Sequence, residues 1–247
     1  MIKYFFLPVI LLFSLAMKAQ NSYPVETITG KDGKPIKITL FKHASLAIEY
    51  DGIEIYVDPV TKIGDTQIDY SNMPKADYIL VTHEHWDHLD PVAIQELSKP
   101  DTKIILNATS EKQLGKGDAM ANNQTKDLDD GIVLQSVPAY NTTPGREKFH
   151  PKGNGNGYVL NIDGKRIYIA GDTEDIPEMA ELKNIDVAFL PVNQPYTMTI
   201  DQAEHAALMI KPKILIPYHY SDTPIDKLKQ KLDNDNSGIN VKIYPME

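Results

Sequence analysis

Apolar and polar positions along this chain follow two rhythms. Over residues 38–50 the run ITLFKHASLAIEY reads as strand, Asp51-Gly52 interrupts it, and IEIYVDP resumes at residue 53. An Asp-Gly pair between two such runs predicts a tight β-hairpin. The arrangement returns at residues 158–172 as YVLNI, Asp163-Gly164 and KRIYIAGD. In both hairpins an Ile-Tyr pair follows the turn (Ile55-Tyr56 and Ile167-Tyr168), and an aspartate stands near the end, Asp58 or Asp172. DYILVTH from Asp77 and DVAFLPV from Asp186 are short apolar runs between polar residues, the pattern of central strands. The second rhythm is helical. TIDQAEHAALMI, with Thr199 and Gln202 placed for a capping box, precedes the strand KILIPYH. TPIDKLKQKLDN sets Ile225, Leu228 and Leu232 on one helical face.

The pattern predicts two similar β-rich halves covered by helices, with no linker or low-complexity stretch between them. After a polar lead-in over residues 20–35, residues 36–247 form one domain. The Gly/Asn-rich GNGNG at 153–157 is expected to be a loop near a site. At the other end, MIKYFFLPVILLFSLAMKAQ has the layout of a signal peptide: Lys3, then an apolar stretch over Tyr4–Met17, then Ala19 at a plausible cleavage site. The stretch is shorter than the roughly 20 residues of a spanning helix, and Pro8 interrupts it. Residues 1–19 are therefore expected to be a cleaved signal, the mature protein to be periplasmic or extracellular, and no membrane anchor to remain.

Composition narrows the chemistry. The net charge of −9 and the scarcity of arginine, with only Arg146 and Arg166, argue against a nucleic-acid partner and leave a small-molecule substrate as the expectation. There is no cysteine, so any metal must be held by nitrogen and oxygen.

Such donors crowd into THEHWDHLD, residues 82–90, directly after the apolar run DYILV. His83 and His85, two positions apart, can converge on one ion; Asp87 and His88, beyond a bend, can address a second. Neutral imidazole and carboxylate suit borderline divalent metals. A merely polar loop is the plain alternative. Against it, the chain has seven histidines and three of them fall within six positions.

The order His83-x-His85-x-Asp87-His88 resembles the HxHxDH signature of the metallo-β-lactamase superfamily. The chain is also similar to the branch containing ascorbate-6-phosphate lactonases and N-acylphosphatidylethanolamine phospholipase D. Supporting segments are HAS at 43–45, YVDP at 56–59, GDT at 171–173, LPV at 190–192, YTM at 196–198 and KPKILIPYHY at 211–220. The resemblance implies a four-layer αββα sandwich of two similar halves, and two divalent ions, zinc foremost with manganese, iron or nickel also possible. It places His83 and His85 on the first ion, Asp87, His88 and His219 on the second, and Asp172 between them. Asp87 and Asp172 would serve the reaction as well as the metals.

One ligand departs from the pattern. Related sequences often carry a histidine after a VPA-type strand, where this chain has VPAYN and hence Asn141, a weak ligand. His150, in EKFHPKGNGNG, is the histidine free to take that place. Asp58, His43, Asn141 and Tyr218 are expected behind the ligands or against substrate; a turn aspartate and a buried histidine are equal alternatives for the first two. Tyr140, Tyr196 and Tyr220 could bind substrate or simply pack, and Trp86 could wall a pocket. Arg146 and Lys152 could meet an anionic substrate or lie in solvent, and His205 is expected on the surface. The implied activity is hydrolysis of an ester, lactone or phosphoester. The rivals are an iron-dependent oxidoreductase on the same fold and a metal-binding protein without catalysis.

Overall fold

The computed structural model describes residues 23–129 and 131–247, so the signal expected at residues 1–19 lies outside the described residues. Its first half runs β1 (Val25–Thr29), β2 (Pro35–Leu40), β3 (Leu46–Tyr50), β4 (Ile53–Val57), a small ribbon of β5 (Lys62–Ile63) and β6 (Thr66–Gln67), β7 (Tyr78–Leu80), α1 (Pro91–Leu97), β8 (Lys103–Leu106), α2 (Ala108–Leu114) and β9 (Asp118–Ala119). The second runs β10 (Thr125–Asp129), β11 (Ile132–Ala139), β12 (Gly155–Ile162), β13 (Lys165–Ile169), a 3-10 turn (Pro177–Glu181), β14 (Val187–Pro191), α3 (Ile200–Ile210), β15 (Ile214–Tyr218), α4 (Asp226–Asn234) and β16 (Asn240–Val241).

Each half builds a seven-stranded sheet, ordered β1-β2-β3-β4-β7-β8-β9 and β10-β11-β12-β13-β14-β15-β16. In both, the first four strands are antiparallel and the rest parallel. The two Asp-Gly turns join β3 to β4 and β12 to β13. Both residues of each turn have positive φ, 51° and 86° at Asp51-Gly52 and 45° and 71° at Asp163-Gly164, as a primed hairpin turn requires. The repeat extends to side chains. Asp77 accepts from the Glu54 amide at 2.9 Å, and Asp186 accepts from the Arg166 amide at 2.9 Å. The likeness of the halves read in the sequence is thus a likeness of construction.

Side-chain alternation sorts the layers. In β4 and β7, Ile55, Val57, Tyr78 and Leu80 join the core shared with the second sheet, while Tyr56 and Ile79 face outward onto Ala93, Ile94 and Leu97 of α1. Burying one such aliphatic side chain contributes about 1.5–3 kcal/mol. The sheets also bond directly: Tyr158 donates to the Val81 carbonyl at 2.8 Å and the Asn156 amide to the Thr82 carbonyl at 2.9 Å. Helix α1 is capped by Asp90, and α3 by the Thr199–Gln202 capping box. Ile225, Leu228 and Leu232 bury the α4 region against the shared core, as its periodicity predicts. The result is the expected mixed α/β sandwich, helices outside and sheets within.

The polar lead-in needs revision, because β1 lies inside it. The buried position of this edge strand is Glu26, satisfied by Lys242 at 2.6 Å and by the Tyr244 hydroxyl at 2.8 Å. A strand whose inward residue is charged carries no apolar alternation to read.

Candidate metal centre

Beyond the end of β7 the chain leaves the sheet at Val81 and turns through residues 83–90, presenting four ligand-type side chains. Asp172 follows β13 by a two-residue turn, His219 follows β15 directly, and His150 comes from the long β11–β12 connection. The sandwich brings all of them together. His83, His85, His150 and Asp172 form one set and His43, Asp87, His88 and His219 another, each with its donor atoms within 4.8 Å of one another.

Asp172 stands between the sets. Its Oδ1 lies 3.3 Å from His88 Nε2, and its Oδ2 lies 3.3 Å from His219 Nε2, 3.2 Å from His150 Nε2 and 3.8 Å from His83 Nε2. His85 Nδ1 is 3.0 Å from His83 Nε2, and Asp87 Oδ2 is 3.7 Å from His219 Nε2. Five buried atoms of the two sets have no hydrogen-bond partner: His43 Nδ1, His88 Nε2, His150 Nε2, His219 Nε2 and Asp172 Oδ1. Buried polar atoms are rarely left so, and several converging on one point fit a metal ion as the absent partner. The donor set, all nitrogen and carboxylate oxygen, fits as well.

Behind the donors lies a supporting network. Asp58, wholly buried, accepts from the Thr82 amide and hydroxyl, both at 2.7 Å, and lies 2.8 Å from His88 Nδ1. This assigns His88 the tautomer with its proton on Nδ1 and leaves Nε2 facing Asp172. Thr82 Oγ1 is also 3.0 Å from His83 Nδ1. Backbone strain gathers at the same place: His43, Asp58 and His219 have φ of 59°, 44° and 47°, values costly for residues with a Cβ.

Charge follows geometry. Burial opposes ionisation of Asp172, but His219, His88 and His150 outweigh it and hold the carboxyl well below its usual range. Asp87 is lowered likewise, with burial overcome by His88, His219 and His43. Burial would lower His219, yet Asp172 and Asp87 push it up to about 9. His83 and His85 go the other way, lowered mainly by burial and then by neighbouring histidines, which favours the neutral, ligating form.

The remaining expectations fall out unevenly. His150 takes the place beside His83 and His85. Asn141 stands behind it, its amide donating to the Tyr196 carbonyl at 2.7 Å, the same oxygen that His150 Nδ1 meets at 3.1 Å. His43 is 3.1 Å from Asp87 and packs against His219, the rings tilted by 41° with centroids 3.6 Å apart. Tyr218 is buried and donates to the Gly171 carbonyl at 3.4 Å, so it supports the Asp172 turn. Tyr140 and Tyr220 are buried packing residues, whereas Tyr196 and Trp86 line a cavity of about 540 Å³ over the donors. Arg146 and Lys152 turn away, to Glu174 and Glu178. His205 is exposed and pairs with Asp175.

Sequence reading missed Thr82, Glu84, Asn107 and Asn154. Glu84, between two of the donors, accepts from Asn154 at 2.8 and 2.9 Å and from Asn107 at 3.2 Å, clasping the chain to the histidine loop where the GNGNG segment begins. Only the first two residues of that segment are loop, since Gly155–Gly157 already pair with β11 as the start of β12. Its position inside HEH was the available signal.

Residues 37–219 match the beta-lactamase superfamily domain. A UPF0173 metal-dependent hydrolase of Nanoarchaeum equitans is 33% identical over 200 residues, covering 78% of this chain and 87% of its own. The crystal structure of a metal-dependent hydrolase from Parabacteroides distasonis is 54% identical, with a TM-score of 0.87, covering 91% of this chain and all 100% of that one. A metallo hydrolase from Ignicoccus hospitalis is 28% identical with a TM-score of 0.70, covering 84% and 94%. These names carry the superfamily but not the narrower lactonase and phospholipase D branch.

They also correct the expectation of a periplasmic or extracellular place. Relatives from Nanoarchaeum, Pyrococcus and Archaeoglobus are archaeal proteins of a typically cytoplasmic kind, and the shared domain makes up 85–87% of each. With family model, relatives and donor geometry in agreement, the chain belongs to the metallo-β-lactamase superfamily and is a metal-dependent hydrolase of the UPF0173 type.

Proposed function

We propose that this hydrolase holds two divalent ions, zinc foremost, and cleaves an ester, lactone or phosphoester bond of a small molecule. One observation carries the reading: the carboxylate of Asp172 lies against donors of both sets, His88 and His219 of one and His83 and His150 of the other. His83, His85 and His150 would hold the first ion, Asp87, His88 and His219 the second, and Asp172 both. Divalent ions in such a site supply Lewis acidity and an ionised water near neutral pH.

The chain's own residues supply the rest. Asp58 and Thr82 fix the ring orientation of His88 and His83. Asp87, held ionised and 3.1 Å from His43 Nε2, can accept a hydrogen bond from the attacking water and so orient it at the mouth of the site. The walls formed by Trp86, Phe149 and Tyr196 orient the substrate and limit water. In the net reaction water adds across the bond, its hydroxyl to carbon or phosphorus and its proton to the departing oxygen.

The test pairs His85→Ala and Asp172→Ala with metal quantification and a panel of carboxylic esters, lactones and phosphodiesters. Both variants are expected to lose metal and turnover together. Full turnover in both sinks the reading.

A further inference from the structure

The cavity over the donors has an uneven lining. Ile63, Trp86, Phe149 and Tyr196 form its apolar wall, with Trp86 70% and Tyr196 46% exposed, while Asn193 and Ser221 are its uncharged polar side chains. Among the described residues that line it there is no lysine or arginine. Besides the donor histidines His85, His150 and His219 and their neighbour His43, the charged side chains are the two donor carboxylates, Asp87 and Asp172, and a third carboxylate, Glu247. Glu247 is no loose end. Its Oε1 accepts from the Tyr220 amide at 2.7 Å, its Oε2 is 3.5 Å from His43 Nδ1, and its side chain is 19% exposed. Its backbone carbonyl accepts from Lys42 Nζ at 2.5 Å, which ties this end of the chain down. The two cations near the His150 loop are engaged elsewhere, Arg146 with Glu174 at 3.5 Å and Lys152 with Glu178 at 3.1 Å.

We propose that the part of the substrate beyond the reacting bond is uncharged and apolar, and that Glu247 sets the discrimination against anionic substrates. This rests on the hydrolytic reading above and narrows it, favouring neutral carboxylic esters and lactones over phosphoesters with further negative charge. The physics is that of an unpaired charge leaving water. The ions and donor histidines attract the reacting bond itself, but an anionic substituent seated on the remaining wall loses hydration, finds no lysine or arginine there, and meets the Glu247 carboxylate. An apolar substituent loses little and covers exposed Trp86 and Tyr196.

The molecule carries its own reporter, since Trp86 is the single tryptophan of the sequence and lines this cavity. The experiment uses three aryl esters whose acyl chains end in a methyl, a carboxylate or a trimethylammonium group. Beside them go the three matching ketones, in which a methylene replaces the ester oxygen and nothing is cleaved. Metal-loaded protein is titrated with each ketone by Trp86 fluorescence, and kcat/KM is measured on each ester. The methyl ketone is expected to bind at least tenfold more tightly than the carboxylate ketone. Glu247→Gln should shrink that gap threefold or more, and Glu247→Asp should keep it. Equal affinity for the two in wild-type protein overturns the proposal, as does a gap that Glu247→Gln leaves untouched. If no ester is turned over while the ketones keep the expected order, the hydrolytic reading of ester bonds fails and the charge preference stands.

Discussion

Asp58 Oδ2 lies 2.8 Å from His88 Nδ1, and neither side chain reaches solvent. Because Thr82 occupies the remaining lone pairs that face it, the carboxylate can meet His88 in one way only. Asp58→Asn keeps the shape but loses the charge that fixes the ring. Metal affinity should fall about 10–100-fold, as when an outer partner of a ligating histidine is removed. A competition titration with a metallochromic chelator reads this directly. Asp58→Ala, which strips the buried His88 Nδ1 and the Thr82 amide of their carboxylate partner, should also cost about 3–5 kcal/mol of stability in urea melts.

Gly171 carries φ of 64° just before Asp172, and a Cβ there would stand 2.8 Å from the Asn156 carbonyl oxygen and 3.0 Å from Thr82 Cβ. Both neighbours belong to the junction between the sheets, so neither yields easily. Gly171→Ala is expected to destabilise the protein by about 2–4 kcal/mol, strain and overpacking combined. It should also lower metal content by displacing Asp172. Retention of full metal content in the folded variant would count against this placement.

Glu84 acts at one remove from the ligands, through Asn154 and Asn107. Glu84→Ala removes the acceptor of both amides and frees the loop that follows His150. Each lost charge-assisted bond is worth about 1.5–3 kcal/mol. Metal release from Glu84→Ala should be at least tenfold faster than from wild type in stopped-flow chelation. Glu84→Gln, which keeps one acceptor oxygen, should fall between them.

Glu54 and Glu49 face each other directly across β3 and β4, two like charges in register. Burial first, then Glu49 and Asp77, push the Glu54 carboxyl up to about 7. The raised value means the folded state prefers the protonated acid, relative to an unfolded carboxyl near 4.5. That preference helps the fold fully below about 4.5 and is lost as pH rises through about 7. Glu54→Gln should therefore raise the melting temperature at pH 8 and change it little at pH 4. A larger gain at pH 4 than at pH 8 would refute this.

The candidate donors were legible because their chemistry restricts them to few residue types at fixed spacing, and the fold does bring His83, His85, Asp87 and His88 into the two clusters. The duplicated hairpins were legible because Asp-Gly turns and alternation are local signals. Glu26, Thr82, Glu84 and Glu247 were not, since each acts through a neighbour far away in sequence: Lys242, Asp58, Asn154 and His43 respectively. His150 became a candidate only through the gap left at Asn141. Its place beside Asp172 depends on how a long loop folds back, which no spacing encodes.

The candidate donors are divided between the halves: His83, His85, Asp87 and His88 from the first, His150, Asp172 and His219 from the second. An ion gripped by both works as a rivet through the seam between them. Chelation should then do more than silence turnover: it should loosen the whole sandwich, with a melting temperature that climbs again as metal is returned.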